Sequence, residues 1–215
     1  MAAPPSPTQL EALTPLRRRG LLSAEGYRLH VEAMSISLPQ TARRRTWWLQ
    51  PFAVFAAIAG CIAGMPGVVF QELQTGFLGA FVGAPVIEEA MKPAGIYILM
   101  LRWPHALLGR LHTALLAALA GLTFALIESY LYVEYYYPEG GSDYVLFRFT
   151  VPVLMHVVAS TIVGLGLSRT IIDWAAGRAP FPVRTRNFYF AALALHALYN
   201  TVAVILSVAG PLDFN

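Results

Sequence analysis

The sequence predicts an all-α, polytopic transmembrane bundle of about five spans. Three observations predict it. Hydrophobic residues make up 57% of the 215 positions and charged residues only 13%, against roughly 25% charged in a soluble domain. Five apolar runs, at about 47–69, 77–101, 111–133, 145–168 and 187–208, are long enough to span, since a helix needs ~20 residues to cross a bilayer. Arginines gather at the ends of alternate runs, as the basic bias of cytoplasmic loops requires. The net charge of +3 comes from those run ends, so it points to a membrane surface and not to nucleic acid.

Taken in order, residues 1–46 form a first region with no apolar core after Arg17-Arg18-Arg19, so they do not read as a signal peptide. Two short helices are expected there, about 8–19 and 23–37, separated at Gly20. Leu21, Leu22, Leu29 and Ile36 make the second amphipathic. The pair reads as a cytosolic or interface-lying helical hairpin. The remainder, 47–215, is the membrane bundle. Arg43-Arg44-Arg45 and Trp47-Trp48 precede its first span as a basic flank and an interfacial belt. Cys61, the single cysteine, lies in that span, which leaves no disulfide framework and no CxxC metal motif. Gly67, Gly76, Gly79, Gly83 and Pro85 allow a broken or re-entrant helix over 66–84 beside the second span.

The joint after the second span carries Arg102 and Arg110, and the joint after the fourth carries Arg169, Arg178, Arg184 and Arg186. The other joints hold Glu72, and then Glu134, Glu139 and Asp143 among tyrosines. This alternation predicts a multi-pass protein of the cell membrane with a cytoplasmic N-terminus and an outside C-terminus.

The second run contains Pro85-Val86-Ile87-Glu88-Glu89-Ala90-Met91-Lys92-Pro93, and Lys92 is the only lysine in the chain. Each ionisable group near mid-bilayer costs about 2.5–3.5 kcal/mol on insertion scales, so packing gives no reason to keep three of them. On a helix starting near Pro85, Glu88 and Glu89 lie four and three residues before Lys92, and both carboxylates can face the ammonium. Few other ionisable groups fall within the runs: Glu128 in the third, Arg148 and His156 in the fourth, and His196 in the fifth, with Asn200 one turn later. Counting 1.5 Å per residue puts Glu88, Glu128, His156 and His196 at compatible depths, which predicts one shared cluster. Two imidazoles and a carboxylate are the ligand set of a catalytic zinc with an open position for water. A further carboxylate would serve as general base. Lys92 would supply a counter-charge to the glutamates or to an oxyanion, and Asn200 would support that oxyanion or orient His196.

Other membrane chemistries lack their residues. There is no HExxH, no Gly-x-Ser-x-Gly elbow and no GxGD, and Asp143, Asp173 and Asp213 all lie in loops or near run ends. With these residues in place, the sequence resembles the PrsW family of intramembrane proteases, distantly similar to the CAAX-processing endopeptidases. Glu88-Glu89-Ala90-Met91-Lys92 matches the family's EExxK and Phe124-Ala125-Leu126-Ile127-Glu128 its FxxxE. His156 matches the next motif's histidine, and His196-Ala197-Leu198-Tyr199-Asn200 the terminal HxxxN/D. The resemblance covers about 75–205. It implies a helical membrane fold and hydrolysis of a peptide bond in a membrane-anchored protein, for which shed anti-sigma factors are the family's pattern. Carried over, Glu88 or Glu89 is the base, and Glu128, His156 and His196 hold a metal ion, expected to be Zn2+, or polarise water without one. Two other readings of the same residues stand beside it. One is an ion- or proton-coupled carrier with a Glu/His relay; the other is a non-catalytic membrane scaffold.

Overall fold

A computed structural model describes residues 50–177 and 179–208, with some side chains between 71 and 82 left out of the description. The expected hairpin at 1–46 and the chain end at 209–215 lie outside the described residues. The described residues are helical with no strand: α1 Gln50–Leu78, α2 Ala84–Met91, α3 Ala94–Arg102, α4 Arg110–Leu131, α5 Ser142–Arg148, α6 Val151–Gly166, α7 Thr170–Ala175 and α8 Val183–Val208. Among the described residues, four stretches are long and apolar enough to cross a membrane: Gln50–Phe70, Arg110–Tyr136, Ser142–Gly166 and Val183–Ser207.

The expected second span, 77–101, is not one helix. α1 continues through the expected joint to Leu78, and a π-helical turn at Gly79–Gly83 leads into α2. α2 then ends at Met91, because Pro93 lacks an N–H and its ring crowds the carbonyl four residues back. Helix resumes as α3, with the amides of Ile96 and Tyr97 donating to the Pro93 carbonyl at 2.9 and 3.1 Å. The break therefore falls beside the charged residues.

A second break divides the expected fourth span between α5 and α6. Pro152, in the first turn of α6, has no N–H to offer the carbonyl of Arg148. The Ser129 hydroxyl donates to that carbonyl instead, at 2.6 Å. This swap anchors the break to α4.

Lipid supplies little hydrophobic drive for helix pairing, so close approach at small residues has to hold the bundle. Gly60 on α1 lies against Gly95 on α3, and Gly64 against Met91, so α2 and α3 run back along α1. Gly121 on α4 meets His156 and Ser160 on α6, while Gly164 on α6 meets Ala114 and Ala117 on α4, another antiparallel pair. α8 closes the set, with Phe188 over Gly166 and the Thr185 hydroxyl donating to the Gly166 carbonyl at 2.9 Å. The Gly164/Gly166 pair is thus used for close packing. Phe55, Phe70, Leu111, Leu115, Leu154, Phe190, Leu198 and Ile205 face outward, the arrangement expected of a lipid-exposed surface. Gly109, at φ 133°, makes the turn into α4 that a side chain would strain.

Candidate active site

The two breaks and the small-residue contacts bring four helices to one buried polar point. α2 contributes the glutamate pair, and helical spacing directs both toward Lys92 as expected. The ammonium lies 2.6 Å from Glu89 Oε1 and 3.3 Å from Glu88 Oε2. Glu89 and Lys92 are 0% and 1% exposed. α4 contributes Glu128, α6 His156 and α8 His196, and both imidazoles are buried. Their rings meet edge to face, with centroids 4.9 Å apart.

Each imidazole is held by a carboxylate on one nitrogen and turns the other nitrogen inward. His156 Nε2 is 2.9 Å from Glu128 Oε2, and His196 Nδ1 is 3.0 Å from Glu89 Oε1. The remaining nitrogens, His156 Nδ1 and His196 Nε2, lie 3.9 and 3.8 Å from Glu88 Oε2. Among the described residues, Glu88, His156 and His196 are the group able to hold a metal ion, with one donor atom each, all within 4.8 Å of one another.

That trio differs from the Glu128, His156 and His196 set implied by the resemblance. Glu128 meets the outer nitrogen of His156, opposite the one that faces Glu88. The difference turns on which ring nitrogen each carboxylate reaches, and sequence spacing does not carry that information. Asn200 sits one turn after His196 on α8, half-buried.

Residues matched to the PrsW motifs thus come together in space, and 45–212 match a family described as PrsW family intramembrane metalloprotease. The chain belongs to the PrsW family. Comparison with curated proteins and with solved structures finds no match. As a PrsW protein, the chain is a membrane protein with protease activity, and both alternative readings give way to that.

The candidate site of this PrsW protein has further partners. The Phe124 ring, at the head of the FxxxE motif, covers Lys92 with its centroid 4.5 Å from Nζ and lies 5.3 Å from the His156 ring. Phe124 and Glu128 are four apart on one helix, so the pairing of a lid with a carboxylate on one face was legible as a spacing. The Tyr189 hydroxyl donates to the Val86 carbonyl at 2.5 Å and ties α8 to α2. No local signal marks that bond, which joins residues 103 apart. Arg148 is buried as well, with Nη2 3.3 Å from Glu128 Oε2.

The donor set fits a metal ion. Two imidazoles and a carboxylate suit zinc; their donor atoms lie within 4.8 Å of one another, with Glu88 3.8–3.9 Å from each ring, wider than the ~3.4 Å between ligands about 2.05 Å from a tetrahedral ion, so the side chains would draw inward to hold it. With neutral imidazoles, three carboxylates against Lys92 and Arg148 leave one negative charge unbalanced in a medium where that is costly. A bound cation would offset it. Lys92 Nζ already lies 2.7 Å from His156 Nδ1, so the ammonium and an ion would compete for one lone pair.

Proposed function

We propose that this protease hydrolyses a peptide bond in a membrane-anchored protein, using a water molecule activated within the cluster of Glu88, Glu89, His156 and His196. The observation that carries the reading is the doubled carboxylate–imidazole arrangement. Glu128 and Glu89 each orient one ring, and both inner nitrogens turn toward Glu88. Such outer partners fix tautomer and direction and raise ligand basicity.

Glu88, His156 and His196 would hold the metal ion, proposed as zinc. When bound, it would bring the pKa of a coordinated water to about 7 and polarise the substrate carbonyl. Glu89 is the proposed base. Its Oε1 is occupied by Lys92 and His196, whereas its buried Oε2 has no hydrogen-bond partner among the described residues. That oxygen accepts the water proton and returns it to the leaving amide nitrogen. The Lys92 ammonium would offset the charge developing on the carbonyl oxygen, and the family resemblance assigns the Asn200 amide to the same task. The anti-sigma-factor type of substrate rests on the family resemblance alone.

The two glutamates are separable by experiment. Glu88→Gln is expected to lose both cleavage and bound zinc. Glu89→Gln is expected to lose cleavage by at least about 100-fold while still binding zinc. Chelation followed by zinc should remove and restore wild-type cleavage. Chelator-resistant cleavage, or full activity in both glutamine variants, would overturn the mechanism.

A further inference from the structure

We infer that Arg148 is a positioning residue of this protease, acting on His156 through Glu128; the inference rests on the proposed roles of those two residues. Three side chains form a line. Arg148 Nη2 is 3.3 Å from Glu128 Oε2, and the same oxygen is 2.9 Å from His156 Nε2. The far nitrogen of that ring, Nδ1, faces Lys92 at 2.7 Å and Glu88 at 3.9 Å.

The arginine is itself held at two points. Pro152 frees its carbonyl, which the buried Ser129 hydroxyl takes at 2.6 Å. Its guanidinium stacks over the Tyr132 ring at 3.9 Å, and only 9% of the residue is exposed. Packing does not account for an arginine in this place. Its buried Nε has no hydrogen-bond partner among the described residues, an expense that an apolar side chain of similar length would avoid. What an apolar residue would not do is hold the Glu128 carboxylate. Glu128 is the most open of the three carboxylates, its side chain 15% exposed, and it reaches His156 from a separate helix. Without the guanidinium it is free to swing toward water. The ring then loses its Nε2 anchor, and Nδ1 no longer points to the centre of the cluster.

The test is a double-mutant cycle on the full chain in lipid nanodiscs. Wild type, Arg148→Gln, Glu128→Gln and the double variant are compared for kcat, KM and thermal midpoint on a membrane-anchored substrate. Nitrogen NMR of labelled histidine rings gives a readout that needs no cleavage. Arg148→Gln is expected to lower kcat about 10- to 100-fold with KM within about threefold, and to cost little more once Glu128→Gln is present. The His156 ring is expected to change from a single Nε2–H form to a mixture, and Arg148→Lys to restore part of kcat. Losses that multiply independently, or an unchanged His156 ring in Arg148→Gln, would overturn the inference. Should Arg148→Gln fail to fold, an unchanged His156 ring in Glu128→Leu would overturn it equally. A wild-type chain that shows the ordered ring but cleaves nothing would count against the proteolytic mechanism, and the ring spectra would still decide on Arg148.

Discussion

Replacing Gly121 with alanine adds one methyl group at the contact between α4 and α6, in a place where neither helix has room. The new Cβ would lie 2.5 Å from Ser160 Oγ and 2.7 Å from the His156 carbonyl oxygen. The serine oxygen can rotate away; the carbonyl is backbone and cannot. Restoring an ordinary contact of about 3.4 Å requires the helices to part locally by roughly 0.7 Å. Glu128 lies seven residues further along α4, two turns on and on the same face, so it moves with the helix. Its 2.9 Å bond to His156 Nε2 would lengthen to roughly 3.6 Å, which is no longer a hydrogen bond. Overpacking costs about 1–3 kcal/mol, and loss of a ring's outer partner costs about 10- to 100-fold in activity. Cleavage in nanodiscs should therefore fall by that factor, with a lowered thermal midpoint. Gly67→Ala is the control, because a Cβ at Gly67 meets nothing within 4 Å. It should be silent, or more stable by up to about 1 kcal/mol. Wild-type cleavage and stability in Gly121→Ala would refute the claim that this contact sets the distance between Glu128 and His156.

Two further outcomes follow from the geometry. Tyr189→Phe deletes the bond to the Val86 carbonyl; it should cost about 0.5–1.5 kcal/mol of stability and slow cleavage modestly without changing zinc binding, as thermal melts and metal titration would show. Arg110 Nε and Arg184 Nη2 both donate to the Leu165 carbonyl, at 3.0 and 3.1 Å, so basic residues from two joints gather at one end of the bundle. Single cysteines placed at the exposed His105 and Glu139 in a Cys61→Ala background should then label from opposite faces, the first from the cytoplasm; labelling of position 105 from outside, or of both positions from one face, would overturn that orientation.

How much of this was readable beforehand depends on the kind of information each residue carries. Glu88, Glu89 and Lys92 announced a buried site because the cost of charge in an apolar run can be judged from the run itself. Their mutual spacing followed from helical geometry. Pro93 and Pro152 were visible as letters, yet an expectation of long spans passed over the breaks they make. Runs of hydropathy record how apolar a stretch is, not whether every carbonyl in it finds an amide.

Composition and spacing determined that this chain is a helical membrane protein and that Glu128, His156 and His196 belong with the paired glutamates. Only the tertiary structure decided which oxygen meets which ring nitrogen. It placed Glu88 between the inner nitrogens, Glu128 on the outer one, and Arg148 behind Glu128. The reason is physical: an imidazole offers two donors in different directions, and the one that faces a partner is set by the rotation and separation of whole helices. Those quantities depend on contacts such as Gly121 against His156, between residues that no local pattern relates.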